Sequence, residues 1–114
     1  MIDTIRKILG MGNKVDLAAL VADGAVILDV RTRGEYGAGH IRGSVNVPIG
    51  DIKEEVPKKF KYHNRHIVTC CASGVRSALA KAELESLGYT NVHNGGGWAN
   101  LLDTMNRTKG KHAA

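Results

Sequence analysis

Two continuous apolar runs restrict the possible folds of this chain more than any other feature. Ala25-Val26-Ile27-Leu28-Asp29-Val30 and His66-Ile67-Val68-Thr69-Cys70 are too short for helices and rich in β-branched side chains, with no apolar-polar alternation. Runs of this kind are strands buried on both faces, as in parallel sheets packed between helices. Val45-Asn46-Val47, closed by Pro48, and Asn91-Val92-His93 make two further strand segments. Helical signals fall between them. Asp16 is placed to cap a helix carrying Leu17, Leu20 and Val21 that ends near Gly24. Thr32 and Glu35 have capping-box spacing for a brief helix stopped by Gly37 and Gly39. Asp51 to Phe60 reads as a helical stretch broken by Pro57. Ser77, Leu79, Ala80, Leu84 and Leu87 mark a helix that Gly88 ends. Gly95-Gly96-Gly97 reads as a turn, and Trp98 to Asn106 as a closing helix. Ile2, Ile5 and Leu9 would give a short apolar helix face at the start. Strands alternating with helices at this rhythm predict an α/β domain whose mainly parallel sheet is covered on both faces.

One domain accounts for 114 residues. Residues 14–106 are expected to form it, with residues 1–13 as an amino-terminal extension and 107–114 as a basic, flexible tail. A domain of this size buries roughly two thirds of the surface its unfolded chain exposes, so it needs no covalent staple. No stretch approaches the roughly 18 apolar residues of a membrane span, and the opening segment lacks the features of a secretory signal. A cytoplasmic protein, monomeric or weakly dimeric, is expected. The formal charge of +5 favours anionic small molecules or acidic partner surfaces. Its cations are scattered over Arg6, Lys7, Lys58, Lys59, Lys61, Arg65, Arg107, Lys109 and Lys111, with few aromatics to stack on bases, which argues against nucleic acid.

The chemistry points to the second buried run. Cys70 and Cys71 are adjacent, so a bridge between them would close a strained ring without joining distant parts of the fold. In open α/β sheets, ligands bind beyond the carboxyl ends of the strands, and a strand ending at Cys70 delivers Cys71 to that edge. The helix that follows turns its N-terminus, with unpaired N–H groups and a partial positive charge, toward the loop Cys71-Ala72-Ser73-Gly74-Val75-Arg76. A cysteine so placed has its thiolate favoured. Arg76 adds a cation, Gly74 lets the loop curl with its N–H groups inward, and Ser77 offers a hydroxyl to the sulfur. Strand alternation turns Cys70 to the opposite side, where a small core residue is expected.

With these residues in place, the chain from about Lys14 to Asn106 resembles the rhodanese family. One motif is Leu28-Asp29-Val30-Arg31 with Glu35, followed by Gly39-His40-Ile41-Arg42-Gly43-Ser44-Val45-Asn46-Val47-Pro48. The other is the six-residue loop from Cys71 to Arg76 followed by Ser77, with Gly95-Gly96-Gly97 and Trp98 resembling the family's closing element. The resemblance implies a five-stranded parallel sheet with helices on both faces. It implies a sulfurtransferase that carries a persulfide on Cys71, cradled by the loop amides of Ala72, Ser73, Gly74, Val75 and Arg76. Sulfur would come from thiosulfate or a persulfide donor and pass to cyanide, a thiol or a protein acceptor. Asp29, Arg31, Glu35 and His40 would then support the loops near the sheet edge. Their plainer reading is paired charges and a satisfied loop histidine. Between Cys71 and Arg76 there is no lysine or second arginine, so the loop itself compensates a doubly charged donor less.

Three rival readings exist. Counted from Cys70, the pattern Cys70-x5-Arg76-Ser77 also fits a cysteine phosphatase. Against it, the glycine such loops carry three positions after the nucleophile falls at Gly74, three after Cys71, and Thr69 precedes Cys70 where a histidine is usual. A non-catalytic binding module of the same fold is the second rival, although such modules have often lost the nucleophile. A metal site is the third, but His63 and His66 have no further ligand at suitable spacing, and no metal or cofactor is expected.

Overall fold

The computed structural model describes residues 15–112. Helix α1 (Leu17–Ala22) leads into strand β1 (Val26–Asp29), and helix α2 (Arg33–Ala38) connects to β2 (Val45–Asn46). A 3-10 turn (Ile49–Asp51) and α3 (Ile52–Lys59) lead to β3 (Ile67–Cys71). Then come α4 (Val75–Ser86), β4 (Val92–Gly97) and α5 (Trp98–His112). The caps explain where the early helices start. Asp16 accepts a hydrogen bond from the Ala19 N–H, and Thr32 and Glu35 form a complete capping box.

All four strands are parallel, in the order β2-β1-β3-β4. Side-chain alternation splits the apolar residues into two cores. Leu28, Ile67 and Val92 face Ile52 and Val56 of α3 and Ala80 and Leu84 of α4. Ile27, Val68 and Cys70 face the other way, onto Leu101, Leu102 and Met105 of α5 and Leu17 and Val21 of α1. Leu28, Ile67, Ile52, Val56 and Leu84 have no exposure at all, and each such side chain contributes about 1.5–3 kcal/mol by leaving water. The strand order reverses between β1 and β3, so the crevice at their carboxyl ends is the topological switch point of the sheet.

The described residues hold four strands rather than five. The residue patterns themselves give four segments, and the chain between them is taken up by helices and short turns. Strand β3 also runs one residue further than its apolar run suggests, through Cys71, which pairs with Gly97 across an irregularity in the ladder. Pro57 does not break α3: it lies in the second turn, forfeits the bond to the Lys53 carbonyl, and the helix runs on to Lys59. Gly37 lies inside α2, and Gly39 is the residue that ends it. Helix α5 continues past Asn106 to His112. The apolar face of Ile2, Ile5 and Leu9 lies outside the described residues.

Gly95, Gly96 and Gly97 are strand rather than turn. A Cβ on Gly95 would lie 2.6 Å from the Thr69 carbonyl oxygen and 2.8 Å from a Val68 methyl, and one on Gly97 would lie 3.0 Å from the Ala72 carbonyl oxygen. Close approach of β4 to β3 and its loop is what demands glycine there. Replacing Gly95 with alanine sets a methyl against backbone that cannot move aside. Chemical denaturation of Gly95→Ala is expected to show a loss of about 1–3 kcal/mol, the range for overpacked cores; an unchanged midpoint would refute the close approach.

Candidate active site

At the end of β3 the side chain of Cys71 is fully closed off from solvent. Its Sγ accepts hydrogen bonds from the N–H of Gly74 at 2.9 Å and of Ser77 at 3.3 Å. Gly74 makes the geometry possible. With φ +106 it stands in the left-handed region and turns the chain sharply into α4, whose start has no other side-chain cap. The sulfur therefore occupies the place a capping oxygen would take. Burial pushes the thiol up. Donors from Ser77, Gly74 and Ser73 outweigh that and leave it below its ordinary value, so the thiolate is favoured. The Ser77 hydroxyl has its hydrogen-bond partners elsewhere, Gly74 O at 2.9 Å and Asn94 Oδ1 at 2.7 Å. The backbone N–H groups are therefore the donors that the geometry assigns to the sulfur.

Cys70 points into the opposite core and has no exposure. Burial, with the Asp29 carboxylate next, pushes its thiol up to about 12. A phosphatase read from Cys70 would need this inert thiol as its nucleophile, which removes the basis of that reading. The two cysteines differ because a strand sends neighbours to opposite faces.

The charges form two pairs around this loop. Arg76 meets Glu35 in a two-pronged contact, 2.7 Å to Oε1 and 2.9 Å to Oε2, joining the start of α4 to α2. The Arg76 guanidinium, with the Thr32 N–H next, lowers the Glu35 carboxyl to about 2. Arg76 is thus no unopposed cation, as the sequence alone suggests; a carboxylate already balances it. Below them lies a buried pair. Arg31 donates to both oxygens of Asp29 at 2.8–3.1 Å, to Gly39 O at 2.7 Å and to Glu35 O at 3.3 Å, with the Trp98 ring 4.7 Å from its guanidinium. Asn46 donates to the carbonyls of Asp29 and Arg31, tying β2 to the same edge. His40 is exposed, stacks on Tyr36 at 3.7 Å and bonds to the Tyr36 carbonyl oxygen through Nδ1. Its contacts are with α2, and no hydrogen bond joins it to Cys71 or the loop that follows.

Of the residues singled out from sequence, Cys71, Ser73, Gly74, Arg76, Ser77 and Glu35 come together at one point, with Asp29 and Arg31 beneath. Ala72 and Val75 are exposed on the outside of the loop. Asn94 was not legible in advance. Its Oδ1 also accepts from the Gly96 N–H at 2.9 Å, and nothing in the pattern His93-Asn94-Gly95 announces that role. Among the described residues no cluster of three metal-ligating side chains exists, and no helix is long and apolar enough to cross a membrane. Cavities of about 250 and 320 Å³ sit at the other end of the sheet, beside Tyr62 and His66, away from the cysteine.

The structure is thus a parallel α/β domain with a cysteine sulfur accepting backbone N–H groups at its switch point. A sequence model of the rhodanese-like domain matches residues 13–103, and the chain belongs to that family. Thiosulfate sulfurtransferase PspE of Escherichia coli (strain K12) is 32% identical over 83 residues, spanning 73% of this chain and 78% of that protein. Thiosulfate:glutathione sulfurtransferase of Homo sapiens is 33% identical over 92 residues, spanning 69% and 80%. A solved human single-domain sulfurtransferase superposes with a TM-score of 0.67 at 30% identity, covering 77% of this chain and 90% of that one. A tRNA uridine(34) hydroxylase of Buchnera aphidicola is 33% identical over 73 residues, but the chain spans only 23% of its length.

The Glu35–Arg76 contact makes a pH prediction. A carboxyl lowered by folding contributes stability that is fully present above its unfolded value near 4.5 and is lost as pH falls toward about 2. The difference in urea midpoint between the parent and Glu35→Gln is expected to be constant above pH 5 and to shrink toward pH 2. A difference that holds steady down to pH 2 would show that the pair contributes nothing through charge.

Proposed function

We propose that this protein is a sulfurtransferase in which Cys71 carries sulfane sulfur from thiosulfate or a persulfide donor to a thiophilic acceptor. The observation that carries the reading is the thiolate-favouring pair of N–H groups, Gly74 and Ser77, that end on Cys71 Sγ at the start of α4. With thiosulfate, the thiolate attacks the outer sulfur, a new S–S bond forms, and the donor's S–S bond breaks with its electron pair leaving as sulfite. The enzyme then holds a Cys71 persulfide anion. Cyanide, a thiol or a partner cysteine attacks the terminal sulfur and returns the Cys71 thiolate.

The N–H groups of Val75 and Arg76, the first two of α4, have no acceptor among the described residues and suit the outer, charged sulfur. The relatives' names support both halves of the reaction: the Escherichia coli protein is named for thiosulfate, the human one for thiosulfate and glutathione. Because Glu35 already offsets Arg76, the site is better matched to a singly charged persulfide than to a dianion. Since Cys71 has no solvent exposure, the loop over it, with Ala72, Ser73 and Val75 exposed and Gly74 half-buried, shifts for a donor to enter. Gly74 is the hinge available for that movement.

Intact mass spectrometry after exposure to thiosulfate or a low-molecular-weight persulfide tests the reading. The parent is expected to gain one sulfur atom, Cys71→Ser none, and Cys70→Ala as much as the parent. Failure of every donor to load the parent would end the proposal. Arg76→Ala is expected to slow loading on the order of tenfold, the scale of one charge-assisted hydrogen bond, with a much smaller change in unfolding midpoint.

A further inference from the structure

Helix α4 is apolar on two opposite sides. Ser77, Ala80 and Leu84 are buried, at the spacing that turns one face of a helix onto the sheet. Val75, Ala78, Leu79 and Ala82 recur at the same spacing on the side directly away from that face, and all four are exposed. Val75 and Leu79 are the large ones, with 68% and 60% exposure. The charged residues stand on the flanks, where Arg76 meets Glu35 and Lys81 meets Glu85. A surface helix ordinarily turns charged and polar residues outward, so a continuous apolar stripe there is a face built to be covered.

Two features say what covers it. The stripe starts at Val75, between Gly74 and Ser77, whose N–H groups end on Cys71 Sγ, so whatever lies on it also lies over the cysteine loop. From Val75 to Ala82 it is about 10 Å long and no wider than a helix, far short of the roughly 800 Å² per partner of a stable interface. A permanent dimer through this face would also shut the cysteine loop of both copies. The occupant therefore comes and goes. Small anions such as thiosulfate and cyanide gain nothing from apolar surface, whereas a protein does. We propose that the outer face of α4 is the docking surface for a protein that takes the sulfur through a cysteine set among apolar side chains. The inference rests on the sulfur-transfer reading and names the class of its acceptor. In the transfer the partner thiol and the Cys71 persulfide anion give a partner persulfide and the Cys71 thiolate. One S–S bond forms, one breaks with its electron pair returning to Cys71, and the thiol proton stays with the partner persulfide, so no oxidant or reductant is consumed.

The test uses two synthetic peptides of equal length and charge with one central cysteine, flanked by leucine and valine in one and by serine and asparagine in the other. In single-turnover reactions the sulfur-loaded parent is expected to pass sulfur to the apolar peptide about tenfold faster than to the polar one, the scale of burying one leucine side chain. Leu79→Gln keeps a good helix former and touches nothing in the core or the cysteine loop. It is expected to abolish that preference and leave the rate with cyanide unchanged. Equal rates for the two peptides in the parent would overturn the inference, as would a preference that survives in Leu79→Gln. Sedimentation showing a parent dimer that Leu79→Gln dissociates would overturn it too, by giving the face to a second copy. Nuclear Overhauser contacts from the Leu79 methyls to residues 1–14 would give it to the chain's own start. Binding is read apart from chemistry by adding the apolar peptide with serine in place of its cysteine and following the amide resonances of Val75, Ala78, Leu79 and Ala82. If the parent never gains sulfur but these resonances shift, the sulfur-transfer reading falls and the docking face stands; if sulfur loads and they stay still, the docking face falls alone.

Discussion

The start of helix α4 has no side-chain oxygen to cap it, and the sulfur of Cys71 takes that place. Much of the structure follows from this one contact. The first N–H groups of a helix lack partners, and a buried N–H left unpaired costs about 1–3 kcal/mol, so the loop closes onto whatever acceptor the preceding strand delivers. That acceptor must sit at the very end of β3 and on the α4 side of the sheet, which is where Cys71 stands and Cys70 does not. The same hydrogen bonds that complete the helix stabilise the anionic sulfur. Folding and ionisation of this cysteine are thus coupled through the same atoms.

Around that contact the charges are arranged to position more than to attract. Asp29 and Arg31 are both buried, and Arg31 spends its remaining donors on Gly39 O and Glu35 O, so the pair holds α2 and the turn after it against the end of β1. A buried pair of this kind contributes little net stability over apolar packing, but it admits few alternative arrangements. Glu35 then hands the constraint on to Arg76 and the start of α4. One chain of contacts runs from the floor of the sheet to the sulfur loop. Its charges cancel in pairs, leaving the backbone dipoles of α4 as the uncancelled positive end facing Cys71.

The elements that sequence placed well are those set by local chemistry. The two buried runs became β1 and β3, Asp16 and the Thr32/Glu35 box began their helices, and Gly88, at φ +99, follows the end of α4. The misplaced elements depend on distant neighbours. Gly95-Gly96-Gly97 reads as a turn in isolation, and only the Thr69 and Ala72 carbonyls pressing from β3 and its loop show why an extended strand requires glycine. Pro57 looks like a break, yet α3 runs through it to Lys59, where packing of Ile52 and Val56 against the core holds the helix despite the lost bond. A fifth strand had no segment in the residue pattern, and none stands in the described residues.

What the sequence determined by itself is the rhythm of strand and helix, the separation of Cys70 from Cys71 onto opposite faces, and the placement of Cys71 at a helix start. Those features depend on period, caps and chain direction, all of which act within a few residues. Tertiary structure alone decided that Arg76 would be balanced by Glu35, 41 positions away in the chain, and that Ser77 would give its hydroxyl to Asn94, 17 positions on. It also decided that the sulfur would be covered. Such pairings arise only when the sheet brings strand ends together in space, and no local periodicity encodes which residues will meet there.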